Sequence, residues 1–287
     1  MNMKHVVGFS GGIDSQAVAR WVLNRYPPED VILLNSDVGG NEHPMTTEFI
    51  QNYSDTVHPV VMVTPIVADM GTRGTREGSI KDRRQEFAET DVLTFDRMAY
   101  IKGIFPRRTM QFCTEHLKLM PAYRWMKENL QANGFTWRRY AGVRRDESRN
   151  RKDRQPIEVD EYFACELYLP IVDWTKQMCF DYVKAHGEEI NPLYKLGFNR
   201  VGCAPCVNSN KDDVLAWSQR FPEMIDKVRD WERRVGKTFF APMVPGLEIN
   251  WIDQVVDWSK TMHGGKQYSL LVLQDRPACE SEYGVCE

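Results

Sequence analysis

Residues 6–15 read Val-Val-Gly-Phe-Ser-Gly-Gly-Ile-Asp-Ser. Val6, Val7 and Phe9 form a short apolar run, the mark of a buried strand. Ala17, Val18, Trp21 and Val22 then recur at helical spacing. A strand that enters a Gly-rich turn and leaves on a helix builds an anion site. The first N–H groups of the helix have no internal partner, and the helix dipole favours negative charge there. Gly11 and Gly12 let the backbone approach a ligand closely, and Ser10 and Ser15 bring hydroxyls. Asp14 is the odd member, because a carboxylate repels phosphate unless Mg²⁺ or helix capping compensates. Neither GxGxxG nor GxxxxGK[ST] occurs, so dinucleotide and Walker-type chemistry are not supported.

The pattern that follows sets the fold class. "VILLN" (31–35) and "VVMVTP" (60–65) read as further strands, and "PMTTEFIQNY" (44–53) reads as a helix with Pro44 in its first turn. Strands alternating with helices predict an α/β fold, a parallel sheet with helices on both faces. Asp37 and Glu42 fall past the end of the second strand, where open α/β sheets bind ligands, and could touch a ribose or hold Mg²⁺. Residues 66–110 are expected to be a mobile, polar loop with helical pieces near 92–103. Residues 115–132 read as a helix and 137–143 as a strand. Residues 144–156 read as a charged loop and 167–174 as a return to the core, ahead of a helix N-capped by Thr175. The character changes near 190, where turns dominate, and 211–236 reads as helical with Trp217 and Trp231 as packing residues. The expected division is an α/β nucleotide domain over 1–200 and a smaller helical, cysteine-bearing part over 201–287.

The net charge of −3 gives no global pull toward nucleic acid. The basic stretches 71–85 and 144–154 keep a nucleic-acid partner open. No run of 18 apolar residues predicts a membrane span, and no signal peptide is read at the N-terminus. The expected location is therefore the cytoplasm. A homodimer stays open. Seven cysteines in a reducing compartment point to metal binding or catalysis rather than disulfides. Cys203 and Cys206 stand three apart in a Gly/Pro-rich turn, a knuckle that brings two thiolates to one metal, and Cys279 and Cys286 close the chain as a second pair. Four thiolates suit a [4Fe–4S] cluster or structural Zn²⁺. Cys165 and Cys179 are expected to be buried as small hydrophobes. The six histidines are scattered, with only His43 near the proposed nucleotide.

"SGGIDS" resembles the SGGxDS pyrophosphate loop of the ATP pyrophosphatases, or adenine nucleotide alpha hydrolases. These enzymes cleave ATP between the α and β phosphates and usually form an adenylated intermediate. "NSDVGGNEHPMTTEFI" (35–50), "FCTEHLKLMP" (112–121), "GVRRDESRNR" (142–151), "LPIVDWT" (169–175), "NPLYKLG" (191–197) and "VGCAPC" (201–206) are similar, in order, to elements of the phosphoadenylylsulfate reductase family. The resemblance implies that Ser10, Gly11, Gly12, Asp14, Ser15, Asp37 and Arg144 bind the nucleotide. It implies that Asp14, Cys113, Lys118 and Arg145 act in the reaction, the two arginines holding phosphate or sulfate oxygens. Cys113 falls where that family has a cluster ligand that faces the nucleotide. It therefore joins Cys203, Cys206, Cys279 and Cys286 as a candidate ligand, or serves as a sulfur carrier. The reductases with a four-iron cluster carry Cys-Cys where this chain has Phe112-Cys113. They also carry Glu-Cys-Gly where this tail reads Ala-Cys-Glu and Val-Cys-Glu.

The complete loop resembles members that bind ATP itself. The expectation is an enzyme that uses ATP with Mg²⁺ to adenylate an acceptor in sulfur transfer or assimilation, with a [4Fe–4S] cluster preferred to zinc. Two alternatives stay open. One is a reductase that takes an adenylylsulfate or phosphoadenylylsulfate and releases sulfite. The other is a zinc-stabilised nucleotide- or nucleic-acid-binding module.

Overall fold

The computed structural model describes residues 3–71, 83–242 and 249–261. Six strands form one sheet in the order β3-β2-β1-β4-β6-β5. They are β1 (Met3–Gly8), β2 (Val31–Ser36), β3 (Val60–Val63), β4 (Thr136–Tyr140), β5 (Ile157–Asp160) and β6 (Cys165–Tyr168). The first five strands in that order run parallel, through four parallel pairings, and β5 pairs antiparallel with β6. The α/β fold is thus as expected, with an antiparallel edge strand at Ile157–Asp160, just past the charged loop, that the sequence reading did not assign. β1 and β4 are neighbours although β2 and β3 intervene in sequence. The chain therefore reverses its direction of travel across the sheet between β1 and β4, and such a switch point is where open α/β sheets bind ligands.

Period-2 alternation sends successive strand residues to opposite faces. Val7 and Leu33 pack with Ile13, Ala17, Val22, Ile50 and Val183 from α1 (Ile13–Leu23), α2 (Pro44–Thr56) and a helix at Lys176–Ala185. Val6 and Leu34 pack on the other face with Leu119 and Met126. Both faces are covered, as a parallel sheet requires. The Lys176–Ala185 helix is capped by Thr175, whose Oγ1 accepts from Met178 N at 3.2 Å. Cys179 is fully buried in the first of these clusters, and half-buried Cys165 packs against the second.

A third cluster joins the segment after β3 to the C-terminal helices. Val67, Met70, Leu93, Phe95, Met98 and Ile101 pack with Trp217, Ile225, Trp231, Phe239 and Trp258. α3 (Phe95–Lys102) lies within the helical stretch expected near 92–103. The rest of 66–110, where it is described, is largely turns and irregular chain, as the loop reading expects, but it is packed rather than solvated. Val67, Met70, Leu93 and Phe105 are core residues because they pack in the cluster of the C-terminal helices, whereas Val92 and Met110 stay exposed. The basic stretch 71–85 lies mostly outside the described residues. The boundary near 200 falls inside this cluster, with Leu193 and Phe198 before it and Val201 and Ala204 after it. Among the described residues no helix is long and apolar enough to cross a membrane.

Candidate active site at the sheet switch point

The Ser-Gly-Gly turn is shaped by its neighbours. Gly11 sits at φ +77°, and a Cβ there would stand 3.1 Å from both Ile50 Cγ1 and Thr46 Cγ2 on α2. Glycine therefore meets a steric and a conformational demand at once. Ser15 Oγ donates to Gly12 O at 2.9 Å and lies 3.2 Å from both Ser10 N and Ser10 Oγ. The two hydroxyls close the loop over the start of α1. The "NPLY" segment supports it from behind. Asn191 Nδ2 donates to Gly11 O at 3.3 Å, and Tyr194 Oη accepts from Ile13 N at 3.0 Å, satisfying one of the orphan amides of α1.

A cleft opens in front of this loop, with about 820 Å³ of space counting its mouth. The ends of three parallel strands line it: Phe9, Ser10 and Ser15 beside β1, Asn35, Ser36 and Val38 at β2, and Ala141 and Gly142 after β4. Lys118, Leu119 and Ala122 line one side, and Glu42, Gly202 and Cys203 line another.

Lys118 reaches the cleft because of a local irregularity. The helix over Phe112–Thr114 passes through a π turn at Glu115–Leu119 before α4 (Met120–Asn129). Five residues of α-helix would set Cys113 and Lys118 about 140° apart. A π turn closes i→i+5 bonds and brings such residues close to one line. Ser36 Oγ donates to Lys118 O at 3.0 Å and ties the turn to the end of β2. Burial works against the Lys118 charge, but the Cys203 and Cys113 sulfurs and the Glu42 carboxylate outweigh it and raise its pKa. The lysine is cationic at neutral pH.

Cys113, Cys203 and Cys206 are brought into one neighbourhood. Burial, with Cys203 and Cys206 adding to it, pushes the Cys113 thiol up to about 12, and Cys203 also shifts upward through burial. The isolated bridge between Glu42 and Cys203 and the Ala204 N→Asn41 O bond of 2.8 Å fasten the knuckle to the segment after β2. Among the described residues no three His, Cys, Asp or Glu side chains are set to hold a metal ion. Cys279 and Cys286 lie outside the described residues. Burial raises Glu42 to about 7, and its Oε1 is buried without a hydrogen-bond partner. Of the two acids expected past β2, Glu42 stands in the cleft wall.

The remaining expected residues lie apart from the cleft wall. Asp37 Oδ1 accepts from Gly40 N at 3.4 Å, closing the Gly39-Gly40 turn. His43 Nδ1 caps α2 by accepting from Met45 N at 3.1 Å, and its ring packs on Phe221 and Trp217. Asp14 is buried and accepts from Arg144 Nε at 2.6 Å, and Arg144 also meets Asp146. Asp14 Oδ1 is buried without a partner; a Mg²⁺ ion does not fit on this residue in this arrangement, because the side chain is fully buried, does not line the cleft and holds Arg144 through Oδ2. Arg145 pairs with Asp173 and donates Nε to Arg154 O at 2.9 Å, on the outside of the same loop. Gly142 was missed as a site residue. A Cβ there would stand 2.8 Å from Asp14 C and 2.9 Å from Ser15 N, so the chain leaving β4 passes directly over the first turn of α1. Its only sequence signal is a glycine at the end of a strand.

The phosphoadenosine phosphosulfate reductase domain matches residues 4–209, most of the chain and all of the cleft. The chain belongs to that family. Within the family's wider relationships, an uncharacterized 37.8 kDa protein of Escherichia phage 186 is 28% identical over 99% of this chain and 96% of its own length. The adenosine 5'-phosphosulfate reductase of Bacillus mycoides is 26% identical over 66% of this chain and 78% of its own. Among solved structures, the phosphoadenylyl-sulfate reductase of Candida auris, as a phosphate complex, superimposes with a TM-score of 0.46 at 15% identity. That match covers 72% of this chain and 83% of the other.

Proposed function

We propose that this family member binds ATP and breaks it at the α-phosphate, passing the adenylate to an acceptor in sulfur transfer or assimilation. The observation that carries the reading is the shared cleft: the Ser10 and Ser15 hydroxyls at the start of α1 and the cationic Lys118 line one opening. The helix start would take the outer phosphates. Lys118 would stabilise charge on the α-phosphate as the acceptor's bond to phosphorus forms, the bridging bond breaks and pyrophosphate leaves. The apolar wall of Val38, Leu119 and Ala122 suits a base. Arg145 would act from outside the cleft, by holding the loop after β4.

Cys113, Cys203 and Cys206 share one neighbourhood but are not set as three ligands of one ion in this arrangement; Cys203 and Cys206 would supply two thiolates to a [4Fe–4S] cluster, or to Zn²⁺ as the alternative ion, with Cys113, Cys279 and Cys286 as the candidates for the others. Such a cluster supplies electron transfer or a sulfur-handling surface. Anaerobic iron, sulfide and zinc analysis of the wild type and of Cys203→Ser/Cys206→Ser decides between them.

A second reading is favoured by Cys203 lining the cleft beside Lys118: reduction of an adenylylsulfate to sulfite, the activity for which the Bacillus relative is named. The deciding experiment supplies the purified protein with ATP and candidate acceptors, or with adenosine 5'-phosphosulfate and a dithiol. Pyrophosphate in the first arm supports adenylation, and sulfite in the second supports reduction. Neither product, with no nucleotide bound by calorimetry, overturns both.

A further inference from the structure

A carboxylate at the mouth of a phosphate site calls for Mg²⁺, which reaches phosphates through one or two carboxylates. Asp14 does not stand at that mouth. It is fully buried, is not among the residues lining the cleft, and gives Oδ2 to Arg144 Nε at 2.6 Å. Arg144 is itself buried and also meets Asp146. The neighbouring acid, Glu147, is held by Arg151. Gly142 brings the same loop within 2.8 Å of the Asp14 backbone, measured from the position a Cβ would take. Two backbone stretches and one buried ion pair thus join the first turn of α1 to the chain leaving β4. Asp14 Oδ1 has no hydrogen-bond partner, but it is buried with the rest of the side chain and away from the cleft surface, so a hydrated Mg²⁺ ion has no approach to it while Oδ2 holds Arg144. Among the described residues no other acids, histidines or cysteines group there as ligands.

We infer that Asp14 is a positioning residue and not a magnesium ligand. It holds Arg144, and through it the loop from Gly142, against the first turn of α1, so that the Ser10–Ser15 cradle keeps its shape. The inference rests on the nucleotide reading above for its binding arm alone.

The test uses the full chain, α,β-methylene ATP (which cannot be cleaved at the α-phosphate) and a Mg²⁺ series followed by calorimetry. Asp14→Asn, Arg144→Met and the double variant are compared with wild type. Asp14→Asn is expected to weaken nucleotide binding tenfold or more, with half-saturating Mg²⁺ within twofold of wild type. Arg144→Met is expected to do the same, and the double variant to be no worse than either single one, the sign of groups acting as a unit. A tenfold rise in half-saturating Mg²⁺ confined to Asp14→Asn, or effects that multiply in the double variant, would overturn the inference. Urea midpoints of the same set test the pair without nucleotide. The double variant should lose less than the sum of the single losses, and additive losses count against the pair. If wild type binds no nucleotide at any Mg²⁺ concentration, the functional reading fails and the urea cycle still decides the role of Asp14.

Discussion

Arg144 and Arg145 are adjacent, and each pairs with an aspartate, yet the two pairs have little else in common. Arg144 and Asp14 are 4% and 0% exposed, deep between α1 and the loop after β4. Arg145 and Asp173 are 32% and 66% exposed, on the outside of that loop. In water an ion pair gains little over its hydrated parts, and salt screens it. In the interior, both charges have lost their water, so each depends on the other remaining in place. Two consecutive arginines therefore do different work: one joins the first turn of α1 to the loop after β4, and the other fastens a surface loop.

The largest expected difference is in the buried pair. Arg144→Ala leaves Asp14 buried and unpaired and should cost about 3–5 kcal/mol in urea denaturation. A loss under about 1 kcal/mol would mean that water reaches Asp14 and that the two pairs are alike. Gly142→Ala sharpens the same junction without touching a charge. Its Cβ meets backbone at 2.8–2.9 Å, so the loop must shift, at about 1–3 kcal/mol as for other overpacked sites. Nucleotide affinity, read by calorimetry, should fall with it.

Burial should act on a titrating group as it does on a pair. Burial, followed by the Lys102 charge, lowers His116 to about 4; a hydrogen bond with the Asp69 backbone opposes this, and the Arg84 charge adds least. The unfolded chain takes up this proton near pH 6.5 and the folded protein only near 4. Stability from His116 is therefore full above pH 6.5 and is lost as pH falls toward 4. Between pH 7 and 5 that loss is about 2 kcal/mol, and His116→Phe should flatten the difference in urea midpoints. The smallest effect belongs to the exposed pair. Arg145→Ala should cost only about 0.2–1 kcal/mol and disappear in high salt. A cost as large as that of Arg144→Ala would break the comparison.

The fold and part of the site were legible because they depend on local chemistry. The apolar runs at Val6–Val7 and 31–35 could only be buried strands, and two glycines between serines at a strand end could only be a tight turn onto a helix. The helical piece near 92–103 was legible in segment 66–110, but the burial of Val67, Met70 and Phe105 was not, because they lie in turns and irregular chain with no periodic signal. They share a cluster with Trp231 and Phe239, far along the chain. Glu42 showed no preference in sequence, since an acid after a strand looks the same whether water or a cleft surrounds it. The π turn that turns Lys118 toward the cleft had no signal, because a helix that gains one residue keeps its composition.

The sequence by itself determined a parallel α/β sheet, the Ser10–Ser15 loop at its first helix and a knuckle at Cys203 and Cys206, through hydrophobic period, glycine conformation and cysteine spacing. The tertiary structure alone decided which charges face the ligand and which face one another. Asp14 and Arg144 are 130 residues apart, and only the β1–β4 pairing and the bare backbone of Gly142 bring them into contact. Burial then makes that contact strong, while the same chemistry one residue later, left in water, stays weak.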